Sequence, residues 1–494
     1  MPGRTFLGGR VRAPLSFGQL GPDWFALRRS LDGSLVLPHE RSYPTARMLY
    51  LERFDDVHPR AVVYCAHSGD VAEAIRFARR LSLPVAIRGG GHSFGGYSTT
   101  PGLVLDISRM DQVRIDASSD RPLASVGAGT RLVDLYVQLA PHQLGVPAGT
   151  CPTVGIAGLT LGGGIGMVGR RYGLTCDRLV GADVVLADGR LVRADQYHHP
   201  ELFWALRGAG GGNFGVVTEL SFAAFRPEHL TSFQLSWPWS RAAQVVSAWQ
   251  RWGPDAPEAL STGLALTVDD TEEPEVLLYG AWSGARAEAE ELLDRLALAV
   301  GSEPKIVSVQ TEPYHEAMMY WAGCSTRTVP RIHLPDQERD PLAARGPHRY
   351  TKSDLFDRDL PADAVATLLH QLTADQRPGQ SRSLELSAFG GAYNRPAPTA
   401  TAFFHRRSRF DLKYAVGVAG HAPAAAKTAA HRWIGDCWAS VREWASGHAY
   451  QNYIDPDLTD WRHAYYGANY PRLVRVGATY DPEGFFRFRQ GVGA

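Results

Sequence analysis

Two side chains in this sequence pair nucleophilic chemistry with a backbone cleared to receive a ligand. His92 stands in AIRGGGHSFGG, residues 86–96, and Cys151 stands in GTCPTVGIAGLTLGGGIG, residues 149–166. A neutral imidazole and a thiolate are both competent nucleophiles. Glycine at this density permits φ > 0 and lets main-chain N–H groups close on an anion such as a pyrophosphate. Either loop alone reads as well as a set of tight turns, with His92 bonded to a carbonyl and Cys151 a small apolar residue. Two such loops, each carrying one reactive residue, point to one shared ligand. The Gly-Thr-Cys-Pro turn is further expected to aim N–H groups at Cys151 and lower its pKa.

A third cluster, YQNYIDPD at 450–457, offers two phenols. Tyrosine acts as a general base only where positive charge or hydrogen-bond donors lower its pKa. Strand alternation does not choose between Tyr450 and Tyr453, because a turn at Asn452 would change which way each faces. The segments LELSAFGGAYN and AFFHRRSRFDLKYAV add the ionisable residues Glu385, Tyr393, Asp411 and Tyr414, each of which also reads as sheet polar surface.

The elements around these loops follow from pattern. AVVYCAH (61–67) is a buried strand, SGDVAEAIRFARRLSL (68–83) a helix with Ser68 as N-cap, and PVAIRGGGHS a strand entering the first glycine loop. GLVLDISRMDQVRID gives two strands, and LASVGAGTRLVDLYVQLA a strand, a turn and an amphipathic helix. This alternation means an α/β layer that binds at its loop ends. DRLVGADVVLADGRLVRAD is a hairpin turning at Asp-Gly, and HPELFWALRGAGGGNFGVVTELSFAAF is helix, glycine loop and strand. From about Thr231 to Glu443 the runs TSFQLSW, STGLALTV, EVLLYGAW, SLELSAFGG and DLKYAVGVAG predict an antiparallel sheet covered by Ala-rich helices. Residues 330–350 read as a surface loop and a candidate lid. GIGMVG (164–169) and GGGNFG (210–215) fit G-x-G-x-x-G but lack the strand–loop–helix setting of a nicotinamide site.

Taken together, these motifs resemble the berberine bridge enzyme-like oxidases of the vanillyl-alcohol-oxidase family, and the similarity continues in YYGANYPRLVRVGATYDP and FFRFRQ near the C-terminus. The resemblance implies an α+β architecture: a PCMH-type, two-part FAD-binding domain (41–229) after an N-terminal extension (1–40), then a substrate domain (230–443). A C-terminal segment (444–494) is expected to return to the FAD domain. The resemblance also implies FAD bonded through its 8α-methyl to His92 and, as in the bicovalent subset, through C6 to Cys151. The accompanying cofactor residues are Arg88, Gly89, Gly90, Gly91, Ser93, Gly96, Thr150, Val154, Gly155, Gly158, Gly162, Gly163, Gly164, Gly166, Asn213, Gly215, Val216 and Asn452. A tyrosine of Y-x-N-Y is implied as the base that deprotonates a substrate hydroxyl. Tyr453 is the first choice and Tyr450 the second, with Asp411 matching a family carboxylate and Tyr393 nearby. The implied activity is oxidation of an alcohol carbon in a sugar, glycoside or secondary metabolite, with O2 as acceptor and H2O2 as product. Oxidative cyclisation, or a dehydrogenase using another acceptor, is the alternative.

Composition sets outer bounds. A chain of 494 residues is long for one core. With 51 basic and 51 acidic residues, net charge gives no support for a nucleic-acid or membrane partner. The five cysteines have neither disulfide-framework nor zinc spacing, so Cys65, Cys176, Cys324 and Cys437 read as structural. The histidines at 198, 199, 315, 333 and 348 lack metal spacing and read as exposed loop residues. Lys305, Lys352, Lys413 and Lys427 are the only lysines, a bias attributed to genome composition. With no apolar signal region or membrane-length run, a cytoplasmic location is expected.

Overall fold

The computed structural model describes residues 22–269, 273–324 and 345–494, and three sheets organise them. The first contains β1 (Ser34–Val36), β2 (Ala61–Tyr64), β3 (Val85–Arg88) and β4 (Leu103–Asp106) in the order β1-β2-β4-β3. β4 lies parallel to both β2 and β3. Every position of β2 and β4 is buried, as parallel strands covered on both faces require, which explains their nearly unbroken apolar runs. The helix Ser68–Arg80 connects β2 to β3. It is capped by His67, whose Nδ1 accepts the Gly69 N–H at 3.0 Å, and not by Ser68.

The second sheet contains β5 (Val113–Asp116), β6 (Leu123–Gly127), β7 (Leu179–Val185), β8 (Leu191–Asp195) and β9 (Val216–Ala223), ordered β5-β6-β9-β7-β8. All its pairings are antiparallel. The α/β expectation therefore applies only to the first sheet. The Asp188-Gly189 turn joins β7 to β8 with Gly189 at φ 83°, which glycine adopts freely.

The third sheet contains β10 (Leu230–Trp237), β11 (Leu260–Val268), β12 (Glu275–Ser283), β13 (Lys305–Glu312), β14 (His348–Phe356), β15 (Gln380–Ala388) and β16 (Phe410–Val418). Its order is β13-β10-β12-β11-β15-β16-β14, antiparallel throughout. The two strands at its edges, β13 and β14, escaped the pattern reading. β13 is mostly exposed, so its sequence shows little apolar alternation. Of the expected loop 330–350, residues 330–344 (with His333) lie outside the described residues, and His348–Tyr350 begin β14. His348 is accordingly a half-buried strand residue with its ring 5.2 Å from that of Tyr350. Burial, reinforced by the charges of Lys427 and Arg53, pushes its pKa down to about 4.

Alternation along these strands splits the third sheet into two unlike faces. Leu264, Leu278, Leu384, Leu412 and Val416 pack against four helices, Ala242–Trp252, Arg286–Val300, Ala362–Thr373 and Ala424–Ala439, in one core. A second core spans the first two sheets and takes in Ala449, Trp461, Tyr465, Leu473 and Phe486 near the C-terminus. The helix Tyr314–Trp321, from the middle third, also packs there, with the Tyr314 hydroxyl donating to Val146 O at 3.1 Å. Buried Arg170 ties the two halves, donating to the carbonyls of Pro254, Ala256 and Leu260 at 2.7–2.8 Å. No described helix is long and apolar enough to cross a membrane.

Candidate functional site

The polar face of the third sheet roofs a cavity of about 700 Å³ whose floor is the glycine loops of the first two sheets. His92 and Cys151 both line it. The His92 ring is fixed twice, by a contact of 2.8 Å between Nε2 and Thr153 Oγ1 and by stacking on Tyr50 with centroids 4.0 Å apart. Cys151 is exposed, but the space it faces is this cavity. Surrounding protein therefore still pushes its thiol pKa up, opposed by Lys413 and Arg349 and reinforced by Glu385. Turn dipoles do not make it a thiolate, as the sequence suggested they would. Cys65, Cys176, Cys324 and Cys437 are buried and free.

The floor is shaped by close backbone approach. A Cβ on Gly90 would come within 2.3 Å of Gly155 N, and one on Gly155 within 2.5 Å of Gly90 N, so the two reactive loops touch through paired glycines. Elsewhere glycine leaves room instead. A Cβ on Gly158 would meet nothing within 4 Å, and those on Gly89, Gly211 and Gly212 nothing nearer than 3.8 Å. These positions border the cavity, and side chains on them would fill it. Gly91, Ser93, Thr150, Val154, Gly166, Asn213, Gly215 and Asn452 also line it. Asn213 braces the third glycine loop, donating to Ala209 O and Gly210 O and accepting from Val492 N.

Six expected cofactor residues lie behind this lining. Arg88 is fully buried, and its Nε pairs with Asp106 at 2.5 Å, its parallel neighbour on β4. It props the His92 loop from beneath. Gly96, at φ 75°, backs onto the Phe54 ring. Gly162 abuts the Asn452 amide, Gly163 the Phe403 ring and Gly164 the Thr175 side chain. Val216 opens β9 and is buried in the core.

On the far wall, Gln451–Tyr453 form a single 3-10 turn preceded by Tyr450. In that geometry i and i+3 side chains eclipse, which brings Tyr450 and Tyr453 together with ring centroids 4.9 Å apart, edge to face. Their hydroxyls differ. Tyr450 Oη accepts from Gly164 N at 2.9 Å and from Asn452 Nδ2 at 2.8 Å. The Tyr453 hydroxyl makes no hydrogen bond to protein among the described residues, and the residue lines the cavity beneath Lys413, whose Nζ is 5.4 Å from its ring centroid. Burial raises both pKa values; for Tyr453 the charges of Asp411 and Glu385 add to it, whereas the two donors oppose it for Tyr450.

The remaining candidates separate by sheet face. Glu385 and Lys413, directly paired across β15 and β16, form an ion pair at 2.5 Å on the cavity side. Asp411, paired with Ser387, shares that face but sits behind the lining, wholly buried, and burial pushes its pKa up to about 7. Tyr393 lies past β15 in a 3-10 turn, and its hydroxyl is committed to Gly166, donating to O at 3.0 Å and accepting from N at 3.1 Å. Tyr414 is on the helix-covered face, bonded to Asp354.

The sequence reading missed Tyr50, Thr153, Arg349 and the role of Lys413. Lysine scarcity was a usable signal. Of the four lysines, Lys413 lines the cavity in its pair with Glu385, and Lys352, in the row of Tyr414 on the other face, pairs with Asp455 at 2.6 Å.

Comparison with known proteins agrees with this arrangement. Residues 59–195 match the family model described as "FAD binding domain", and 449–493 the one described as "Berberine and berberine like". The chain is 34% identical to the uncharacterized FAD-linked oxidoreductase YgaK of Bacillus subtilis, over 94% of this chain and 98% of YgaK. It is 27% identical to reticuline oxidase of Eschscholzia californica, over 88% of this chain and 83% of that one. Among solved structures, Physcomitrella patens BBE-like 1 superposes with a TM-score of 0.84 at 26% identity, covering 96% of this chain and 99% of its own. The chain belongs to the berberine bridge enzyme-like family of FAD-linked oxidoreductases, with the PCMH-type α+β fold.

Proposed function

We propose that this enzyme is a flavin-dependent oxidase of alcohols, with FAD tethered at two points by His92 and Cys151. The observation that carries the reading is that both nucleophiles open into one cavity whose opposite wall presents Tyr453, Glu385 and Lys413. The open Cβ directions at Gly89, Gly158, Gly211 and Gly212 supply the bare surface a large planar and anionic cofactor needs. When bound, FAD supplies the two-electron acceptor and returns those electrons to O2 as H2O2.

The chain's own residues hold and move the proton. Tyr453 is a neutral phenol at rest, since burial and the nearby carboxylates raise its pKa. It accepts the proton of a substrate hydroxyl by releasing its own toward the carboxylate side of the roof, where Asp411 and Glu385 lie. Lys413 steadies negative charge on the ring while this happens. Tyr450, fixed by Gly164 and Asn452, holds the turn that aims Tyr453. The substrate is a hydroxyl-bearing sugar, glycoside or secondary metabolite.

An absorption spectrum before and after acid precipitation tests the tethers. Yellow colour staying with the pellet, and shifting separately in His92→Ala and Cys151→Ala, is the expected result. Colour released to the supernatant refutes covalent attachment while leaving FAD binding intact. Peroxide release on an alcohol and glycoside panel tests the oxidase half.

A further inference from the structure

Three charged side chains of the third sheet line the cavity, Arg349, Glu385 and Lys413, and of these Glu385 and Lys413 pair with each other. The side chain of Arg349, on the cavity-facing row of β14, has no ion pair and no hydrogen bond among the described residues. Its Nε is buried without a partner, and the residue lines the cavity. The sheet offers it nothing. Its register partner on β16 is Gly417, which has no side chain, and β14 is the edge strand, so no strand lies beyond it. The residue nevertheless lines the cavity, where its charge opposes the upward pKa shift that burial gives both Tyr50 and Cys151. A buried donor left unmet is unfavourable, and a guanidinium fork matches a carboxylate in two parallel hydrogen bonds.

From this we infer that Arg349 is a binding site for an anionic group of the substrate, so that the alcohol oxidised also carries a carboxylate or comparable acid. This names the substrate class of the site proposed above and rests on that reading. Arg349 and Ser353, the strand neighbour of Lys413, are four residues apart on β14. That is roughly 13 Å of sheet, so the acid lies remote from the reacting carbon, at the far end of a ring or a chain of several bonds. The neighbouring Glu385–Lys413 pair is electrically balanced, which leaves Arg349 as the third sheet's contribution to the charge preference, apart from Arg487 and Arg489, which line the cavity from the C-terminal segment.

Equilibrium binding tests this apart from turnover. The purified holoprotein is titrated by calorimetry with benzoate and with its neutral counterpart benzamide, and bound flavin is measured separately by absorbance. Benzoate is expected to bind about tenfold tighter than benzamide or better. Arg349→Gln is expected to abolish that preference at unchanged flavin content, and Arg349→Lys to keep part of it. Equal binding of the two probes by the wild-type protein overturns the inference without a variant. So does an Arg349→Gln protein that keeps the preference. An Arg349→Gln protein that folds but loses flavin assigns the guanidinium to the cofactor, which also overturns it. Covalent flavin with no benzoate preference refutes this subsite alone, whereas colourless wild-type protein refutes the flavin reading itself.

Discussion

Asp354 and Asp411 are buried carboxyls on adjacent strands of one sheet, a single register step apart, since Asp354 pairs with Leu412. Both are 0% exposed, and burial pushes both up to about 7. The step puts them on opposite faces, and there their surroundings diverge. Asp354, on the helix-covered face, is met by Arg442, by the Tyr414 hydroxyl at 3.2 Å and by the Trp438 ring N–H. Asp411, on the cavity side, faces Ser387, and neither carboxyl oxygen has a well-formed hydrogen bond among the described residues. One face is completed by the protein. The other is left with spare capacity at Asp411, Tyr453 and Arg349, as a face must be if it is to receive a ligand.

The sharpest way to break this contrast is at the tyrosines. Tyr453→Phe should lower kcat by about 10²–10⁴-fold and leave the melting temperature unchanged, because its hydroxyl satisfies no protein group among the described residues. Tyr450→Phe should instead destabilise by about 1–3 kcal/mol, since it leaves the Gly164 N–H and the Asn452 amide unmet. The reverse pattern in kinetics and thermal melts would exchange the two roles.

On the helix-covered face, Asp354→Ala should cost about 3–5 kcal/mol in urea unfolding by stranding Arg442. Arg442 is 29% exposed, which favours the lower end.

The cavity-face carboxyl predicts a pH signature. Asp411 binds its proton more tightly folded than unfolded, so the stability it confers is whole below about 4. It is lost as pH rises toward the folded value of about 7 and is constant above that. Asp411→Asn cannot ionise. Its unfolding free energy relative to wild type should therefore grow by at most about 4 kcal/mol between those limits, while the same decline from Asp354 persists in both proteins. A difference that does not change with pH would refute the burial argument. The smallest effect belongs to Glu385→Gln, where Lys413 is 16% and Glu385 33% exposed. As a partly screened cross-strand pair it should contribute about 0.2–1 kcal/mol to stability, so any larger loss of turnover marks a role in the reaction.

Much of this was legible in the chain. The strand–helix–strand start, the Asp-Gly hairpin, the five inner strands of the third sheet and the two reactive loops are written in local pattern, because apolar period, turn chemistry and glycine density act over a few residues. The edge strands β13 and β14 were not legible, for different reasons: β13 is mostly exposed, whereas β14 is buried over Thr351–Phe356 but places Thr351, Lys352, Ser353 and Asp354 there, so it shows no apolar run. Helix or strand period also says nothing about which distant group meets a side chain. Arg88 read as a cofactor ligand until Asp106 was found beside it, and Tyr414 as a site residue until its face was known.

The sequence by itself determined which chemistry is present: an imidazole and a thiol in bare backbone, two phenols flanking an asparagine, and acids and a lysine on two successive strands. Only the tertiary structure decided which of them is free to act. That depends on partners far apart in sequence, Gly164 for Tyr450 and Arg442 for Asp354, and on the pleat that turns Asp411 and Asp354 to opposite sides. Residue type fixes what a group can donate or accept, but long-range packing fixes whether the protein has already used it.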